Sequence, residues 1–480
     1  MLTDLNWLQI GNKYPPSDFD TKNRLNKYED NRRIFEGEHL EIFKAQFKRI
    51  ERVIGNFENV ITYGTLLNFQ KLISLKTADL LFGENPIIES KNKEEIKQLI
   101  TTSKMFDKLY EVAIDVSRFG DGLVYVYIDN EEGATFCPQN PQLWIPIVDK
   151  FNAKKIVNHV LCWKYKDGEN SYLKAQIHYK GYFEERLYLL SNSQTVGTVI
   201  HSLIESDVVK TGIDDFAVIH TSNLTTSDKI TGFDDYSDIN DIIIEIMVRI
   251  AQISRILDKH SSPSVSGPMS ALEKDPASGM WSLKMGNYFP KDSADDAEVK
   301  YITWDGQLEA SFKQIETLTN QLYLLSEMGT VLLGGDEKGG ANISGRALRL
   351  KMISPLSKVK RLSRRFDYTI KNILSSLAKL YNLSINIEDI TINWQDGLPN
   401  DAIEEAEIMN IRTGNKQTMS LTRALRTYDY MTEEQAEEEL ETILEEEKML
   451  NPLMETDFKT EGDNVEEVDE EEEKEEVDAE

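Results

Sequence analysis

Between Asp238 and Leu380 the sequence spells three amphipathic helices separated by two unlike interruptions, and this arrangement restricts the possible folds more than any other stretch. Ile239, Ile243, Ile246, Ile250, Ile253 and Leu257 recur at steps of four and three, one continuous apolar stripe. Asp241, Glu245, Arg249, Gln252 and Lys259 lie off it. Leu308, Phe312, Ile315, Leu318, Leu322 and Leu325 draw a second stripe, which stops at Gly329 and the glycines 334, 335, 339 and 340. A third begins near Ser344 and carries Met352, Leu356, Val359, Leu362, Phe366, Ile370, Ile373, Leu377 and Leu380. Pro355 lies inside that run, lacks an amide donor and crowds the preceding turn, so a kink is expected there. Residues 261–305, between the first two helices, are rich in Ser, Gly, Pro and Asp and read as a small subdomain with a helix and a few strands.

A chain of 480 residues is long enough for several domains. No run of about 18 apolar residues is present, and the N-terminus lacks a charged-then-apolar signal pattern, so no membrane span and synthesis in the cytoplasm are expected. Cys137 and Cys162 read as reduced thiols. The net charge of −29 is unevenly placed: 24 acids and three bases lie from Glu433 onward, leaving −8 for residues 1–432. The third helix has the opposite sign, with Arg346, Arg349, Lys351, Lys358, Lys360, Arg361, Arg364, Arg365 and Lys371 against Asp367 alone. A duplex, or an acidic neighbouring subunit, would sense that helix.

Helical patterns fill the first 60 residues, with a break at Gly37, and recur at 66–82 and from Lys93 to about Phe119. Strands follow: LVYVYID (123–129) with a hairpin partner at 134–137, then WIPIVD, HVLCWKY, KAQIHYK and ERLYLL, and finally FAVIHTSNL before the long helices. This is an α+β arrangement with a mostly antiparallel sheet. LSINIEDITINW reads as a strand, residues from Pro399 to about Met449 as helical, and the last 20, with 13 acids, as disordered.

No metal or cofactor constellation is visible in the pattern of six scattered histidines and two cysteines. The loop GGDEKGGANISG has the glycine gap of a phosphate loop, but Ala341 and Asn342 stand where Lys and Ser/Thr are required. The acid pairs Asp214–Asp215, Asp234–Asp235 and Asp295–Asp296 fit either a Mg²⁺-dependent nuclease or phosphohydrolase, or solvated turns and helix caps.

A set of short motifs, in order along most of the chain, resembles the portal proteins of long-tailed bacteriophages: YEDNRRIFEGEHL (28–40), KTADLLFGENP (76–86), RFGDGLVYVYIDNEEG (118–133), NPQLWIPIVD (140–149), SNL (222–224), GFDDYSDINDII (232–243), ISGRALRLK (343–351) and LPNDAIEEAEI (398–408). In that family a Gly-x-Ser-Asp commonly precedes the first stem helix. Here four residues separate Gly232 from Ser237–Asp238, which leaves the start of that helix open by a few positions.

The resemblance implies a portal fold: a wing of helices and mostly antiparallel sheet (1–235), two stem helices (236–260 and 306–328), a small α/β clip (261–305) and a tunnel loop (329–344). A long kinked wing helix (345–382), a wing strand (383–398), a helical crown (399–450) and an acidic tail (451–480) would follow. It further implies a non-enzymatic homo-oligomeric ring, usually of twelve copies, at one capsid vertex of the virion. Double-stranded DNA would pass through its channel in packaging and ejection. Terminase, major capsid and scaffolding proteins, and then a head-completion or tail adaptor protein, would be its partners, with no membrane and no cofactor.

Gly334, Gly335, Asp336, Glu337, Lys338, Gly339 and Gly340 would form the loop that changes shape as DNA passes. Asp241, Glu245, Glu309 and Glu316 are the candidate lumen charges, since walls that repel phosphate let a duplex slide. Arg346, Arg349, Lys358, Arg361, Arg364 and Arg365 would either pair with acidic surfaces between subunits or touch DNA. The tail is either a solubilising end or a dock for capsid or scaffold proteins. A helical scaffold unrelated to phage is the remaining reading of the stripes.

Overall fold

A computed structural model of the chain describes residues 1–44, 65–191, 196–202, 208–261, 308–333, 349–395, 402–414, 418–428 and 431–450, with residue 279 and strand segments at 265–266, 272–274, 281–283 and 300–301. Two compact units divide it, Met1–Leu398 and Pro399–Glu480.

The first unit opens with helix α1 (Phe19–Glu36), capped by Asp18, whose carboxylate accepts the Thr21 N–H at 3.0 Å, and closed at Gly37. A short turn α2 (His39–Ile42) follows, then α3 (Phe69–Phe82) and strand β1 (Ile87–Glu89). The single helix expected from Lys93 to Phe119 is two, α4 (Lys93–Ser103) and α5 (Met105–Phe119). Between them Lys104 adopts φ 51°, and the Ser103 hydroxyl turns back onto the Leu99 carbonyl at 2.7 Å, so the helix stops on a side chain that competes for its own backbone.

Strands β2 (Asp121–Asp129) and β3 (Gly133–Gln139) form the expected hairpin, longer at both ends than the apolar alternation alone indicates. β4 (Trp144–Val148), β5 (Ile156–Asp167), β6 (Asn170–Tyr179), β7 (Tyr182–Leu190) and β8 (Val196–Ser202) make an antiparallel meander in that order, with β9 (Val209–Lys210) on β7. β10 (Val218–Ser222) returns to β2 and completes a three-stranded sheet. Alternate residues of the meander, Val160 and Cys162, then Leu173, Ala175 and Ile177, turn to one face and bury against Trp7 and Leu8.

Helix α6 (Asn240–Ser261) carries the first stripe. Within the insert β11 (Val265–Ser266) pairs β14 (Lys300–Tyr301), and β12 (Leu272–Lys274) pairs β13 (Trp281–Leu283). The described part of the insert is strand only; the helix expected in it would fall outside the described residues. Helix α7 (Leu308–Leu325) carries the second stripe, followed by the turn α8 (Gly329–Leu332).

The third stripe is α9 (Ile353–Leu380), and Pro355 falls in its first turn rather than at a kink within a longer helix. Residues 349–351 are helical and the break is at Met352. A proline ring obstructs the carbonyl four residues back, here Lys351, whereas a helix's first turn needs no amide from it. The segment read as one strand after α9 is a 3-10 turn (Ile387–Asp389) and a three-residue β15 (Thr391–Asn393) on β1, because the Asn386 side chain accepts the Glu388 N–H and tightens the chain there.

Two cores hold this unit around the long helices. One joins α3, α4, α5, β2, β3 and α9 through residues such as Phe82, Leu109, Val116, Phe136, Phe366 and Ile370. The other joins α1 and α3 to α6 and α7 through Ile34, Ile73, Tyr236, Ile239, Ile243, Met247 and Leu322. Helix α3 serves both, so the paired rods rest on the same element that packs the basic helix. In the second unit the expected helical region is three helices, α10 (Ala402–Thr413), α11 (Leu421–Tyr428) and α12 (Glu433–Leu450), with Ala424, Leu425 and Ala436 buried. Residues 451–480 lie outside the described residues.

Candidate functional site

Two motifs far apart in the sequence, RFGDG (118–122) and GFDDYSD (232–238), meet at the foot of α6. The Asn223 N–H donates to the Gly120 carbonyl at 2.8 Å and the Asp235 N–H to the Ser117 carbonyl at 2.9 Å. A methyl group on Gly120 would sit 2.6 Å from the Gly232 carbonyl oxygen, and φ there is 85°, so only glycine permits this approach. The Asp121 carboxylate, fully buried, accepts the Gly232 N–H at 3.0 Å, contacts His220 Nε2 at 2.7 Å and accepts the Tyr28 hydroxyl. Burial, with the Asp121 charge beside it, pushes the Tyr28 hydroxyl far above its ordinary pKa and keeps it a donor.

Asp234 and Asp235, one of the three acid pairs, are part of this joint. Asp234 Oδ1 accepts the N–H groups of Tyr236 and Ser237 at 3.0 and 2.8 Å, and its carboxylate is ion-paired with Lys27. That capping turn is followed by Ile239 and Asn240 amides returning to the Tyr236 carbonyl, which places the entry to the first rod at Tyr236 and regular helix from Asn240. Asp235 reaches Lys358 of α9 at 2.9 Å and accepts the Ser117 hydroxyl at 2.6 Å and the Asn223 amide at 3.0 Å. Asp214 is ion-paired with Lys379 and Asp215 with Lys180; Asp295 and Asp296 lie outside the described residues. Among the described residues no group of three or more acids, histidines or cysteines is placed to hold a metal.

From this joint α6 runs for about 33 Å, at 1.5 Å for each of its 22 residues, with α7 packed on it. The stripe residues near the joint are buried. Farther along and on α7 the apolar surface stays open: Leu257 is 50% exposed, Phe312 54%, Leu324 76% and Leu325 51%. Of the four candidate lumen acids, Asp241, Glu309 and Glu316 face solvent, while Glu245 is half-buried and held by Arg249 at 2.6 Å.

The basic residues named for α9 do not form one face. Lys358 is buried against Asp235, Arg361 is ion-paired with Glu327 just past α7, and Arg365 donates to the Thr225 hydroxyl at 3.1 Å. Arg349 and Arg364 are exposed. Arg346 and the whole of Gly334–Gly340 lie outside the described residues.

Sequence reasoning did not find Lys27, Tyr28, Asp121 and His220. Asp121 sits in a turn-like Gly-Asp-Gly and His220 in an apolar strand, and neither pattern signals a partner about a hundred residues away. Lys358 was legible only as one base among nine.

The family model described as "Phage portal protein, SPP1 Gp6-like" matches residues 20–453. No curated protein matches. Among solved structures, the chain is similar to one in "Neck of native GTA particle computed with C12 symmetry", at 13% identity and a TM-score of 0.44, covering 75% of this chain and 88% of that one. It is also similar to one in "Virion of native gene transfer agent (GTA) particle", at 12% identity and a TM-score of 0.45, covering 79% and 95%.

Proposed function

The chain belongs to the phage portal protein family of the SPP1 Gp6-like type, and from that premise we propose that its copies close side by side into a ring whose stem, α6 and α7, lines the passage for double-stranded DNA. A portal protein is the DNA channel and head-to-tail connector of the virion, and the family's role is structural. Twelve copies, a capsid-vertex position, docking of terminase on the insert and later exchange for a head-completion or tail adaptor protein complete the reading, with capsid and scaffolding proteins around the wing.

The observation that carries it is the open apolar surface of the paired rods. Leu257, Phe312, Leu324 and Leu325 fall on or beside the stripes, yet the chain alone leaves half or more of each in water. Four such side chains along two helices are a seam that a second copy can cover. Asp241, Glu309 and Glu316, exposed on the same helices, are the proposed lumen charges, because a wall that repels phosphate does not arrest the duplex. The proposed moving part is Gly334–Gly340, joined to the stem through Glu327, whose ion pair with Arg361 ties the end of α7 to α9. Shortening Gly334–Gly340 is expected to leave rings intact and to reduce DNA packaging or retention. Normal phage yield from that variant would remove the loop from the mechanism.

A further inference from the structure

Away from the stem, between the strand-rich part of the wing and α9, lies a cleft of about 640 Å³ whose lining is strongly basic. Lys154, Lys155 and Lys180 enter from the sheet side, and Arg364 and Arg365 from the helix. Asp215 is the one acid among the lining residues, and Lys180 already neutralises it at 2.8 Å. Lys154 donates to the Lys229 carbonyl and, with Lys229, lies close enough to Asp228 to help lower that carboxyl's pKa, while Arg365 donates to the uncharged Thr225 hydroxyl. Among the described residues that line it, five bases face one acid, in a concave site of the volume that takes a nucleotide-sized ligand.

Two aromatic rings lie among these cations. Phe216 lies under the Lys180 ammonium, 5.3 Å from its ring centre, and Tyr368 is 64% exposed beside Arg364 and Arg365 on the helix. Cations alone suit any anion. Cations with an exposed ring suit an anion that also has a flat face, which a carboxylate side chain lacks and a nucleotide has. The guanidinium groups supply forked donors that match phosphate oxygens.

We propose that this cleft is a second nucleic-acid contact, separate from the channel, which holds backbone phosphates through Lys154, Lys155, Arg364 and Arg365 with Tyr368 against a base or sugar. The proposal does not depend on the ring or on which residues line the lumen. It concerns phosphate chemistry that either a polynucleotide or a free nucleotide could present.

The test is binding of the full-length protein to a fluorescently labelled DNA oligonucleotide across a salt series, comparing wild type with K155E/R364E and with K164E/K166E. The last changes charge equally at exposed positions on β5 that are not among the residues lining the cleft. The expected result is at least a tenfold loss of affinity for K155E/R364E with a salt slope shallower by about two, and a much smaller loss for K164E/K166E. Equal losses in both, or none in either, would overturn the site. K155Q/R364Q repeats the comparison if charge reversal impairs folding, as checked by circular dichroism. Tyr368→Ala should weaken binding about fivefold or more without changing the salt slope. Competition separates the sources: ATP displacing DNA at equal phosphate concentration assigns a nucleotide site, and DNA outcompeting ATP assigns the backbone. Displacement by poly-glutamate more readily than by either would mark a dock for acidic protein and overturn the proposal.

Discussion

Lys358 and Asp235 show how a charged pair can work as a structural pin. Both side chains are at least nine-tenths buried, and they join α9 to the segment that launches α6. Taking two ions out of water is costly, and removing one partner leaves the other uncompensated, at about 3–5 kcal/mol. Lys358→Met is therefore expected to destabilise the protein by about that amount, and adding Asp235→Asn should recover a good part of it, as read by thermal and denaturant unfolding. Additive losses in the double variant would show that the two do not act as a pair.

His178 makes a separate prediction. It is buried with neither ring nitrogen hydrogen-bonded among the described residues, set against the rings of Tyr125 and Phe183 and opposite His159 on the next strand. Burial lowers its pKa from 6.5 to about 4, and His159 opposite it is likewise held well below its ordinary value, by burial first and then by its histidine neighbours. Between those values the unfolded chain takes up a proton that the folded chain refuses, so stability falls as pH drops from 6.5 to about 4 and is level above 6.5. The loss attributable to His178 is roughly 3 kcal/mol at 1.36 kcal/mol per pKa unit. Asp115, raised to about 6 by burial against the pull of Arg118, works in the opposite direction over part of that window. The clean readout is thus the difference between wild type and His178→Phe, whose acid-side slope should be the shallower. Equal slopes would place the sensitivity elsewhere.

At the scale of elements, the paired rods were legible because the stripes repeat at helical spacing with nothing to interrupt them. Their ends were less so. The break at Met352 rather than a bend at Pro355 follows from which residue a proline ring obstructs, and the split at Lys104 from a serine bonding back to its own helix. Spacing cannot tell which side of a stripe is covered by the same chain, and here the sides differ. Ile243 and Ile246 are buried within the molecule while Phe312 and Leu324 are not. The candidate acids could be named from sequence, yet the Glu245–Arg249 pair, set by one turn of helix, removes one of them as a free charge. Replacing Phe312 and Leu324 with Glu should leave the circular dichroism spectrum and melting of the single chain nearly unchanged and shift the assembled species toward monomer. Sedimentation velocity provides the measurement, and unaltered assembly would show that this face is not the seam.

For the whole molecule, the joint between RFGDG and GFDDYSD fixes how α6 leaves the rest of the first unit. Its contacts are backbone approaches and buried ions, which hold direction better than apolar packing alone. A body that holds α6 rigidly presents the same faces in every copy, so each contact repeats one rotation, and a ring is the outcome where that rotation closes. The central claim is that these rods meet neighbouring copies of themselves around an open axis. Electron microscopy of the purified full-length protein tests it most directly. The account predicts closed rings of rotational symmetry whose innermost density is α6 and α7, around a lumen that admits a duplex. Monomers at high concentration, or assemblies in which both rods are buried away from any central opening, would contradict it.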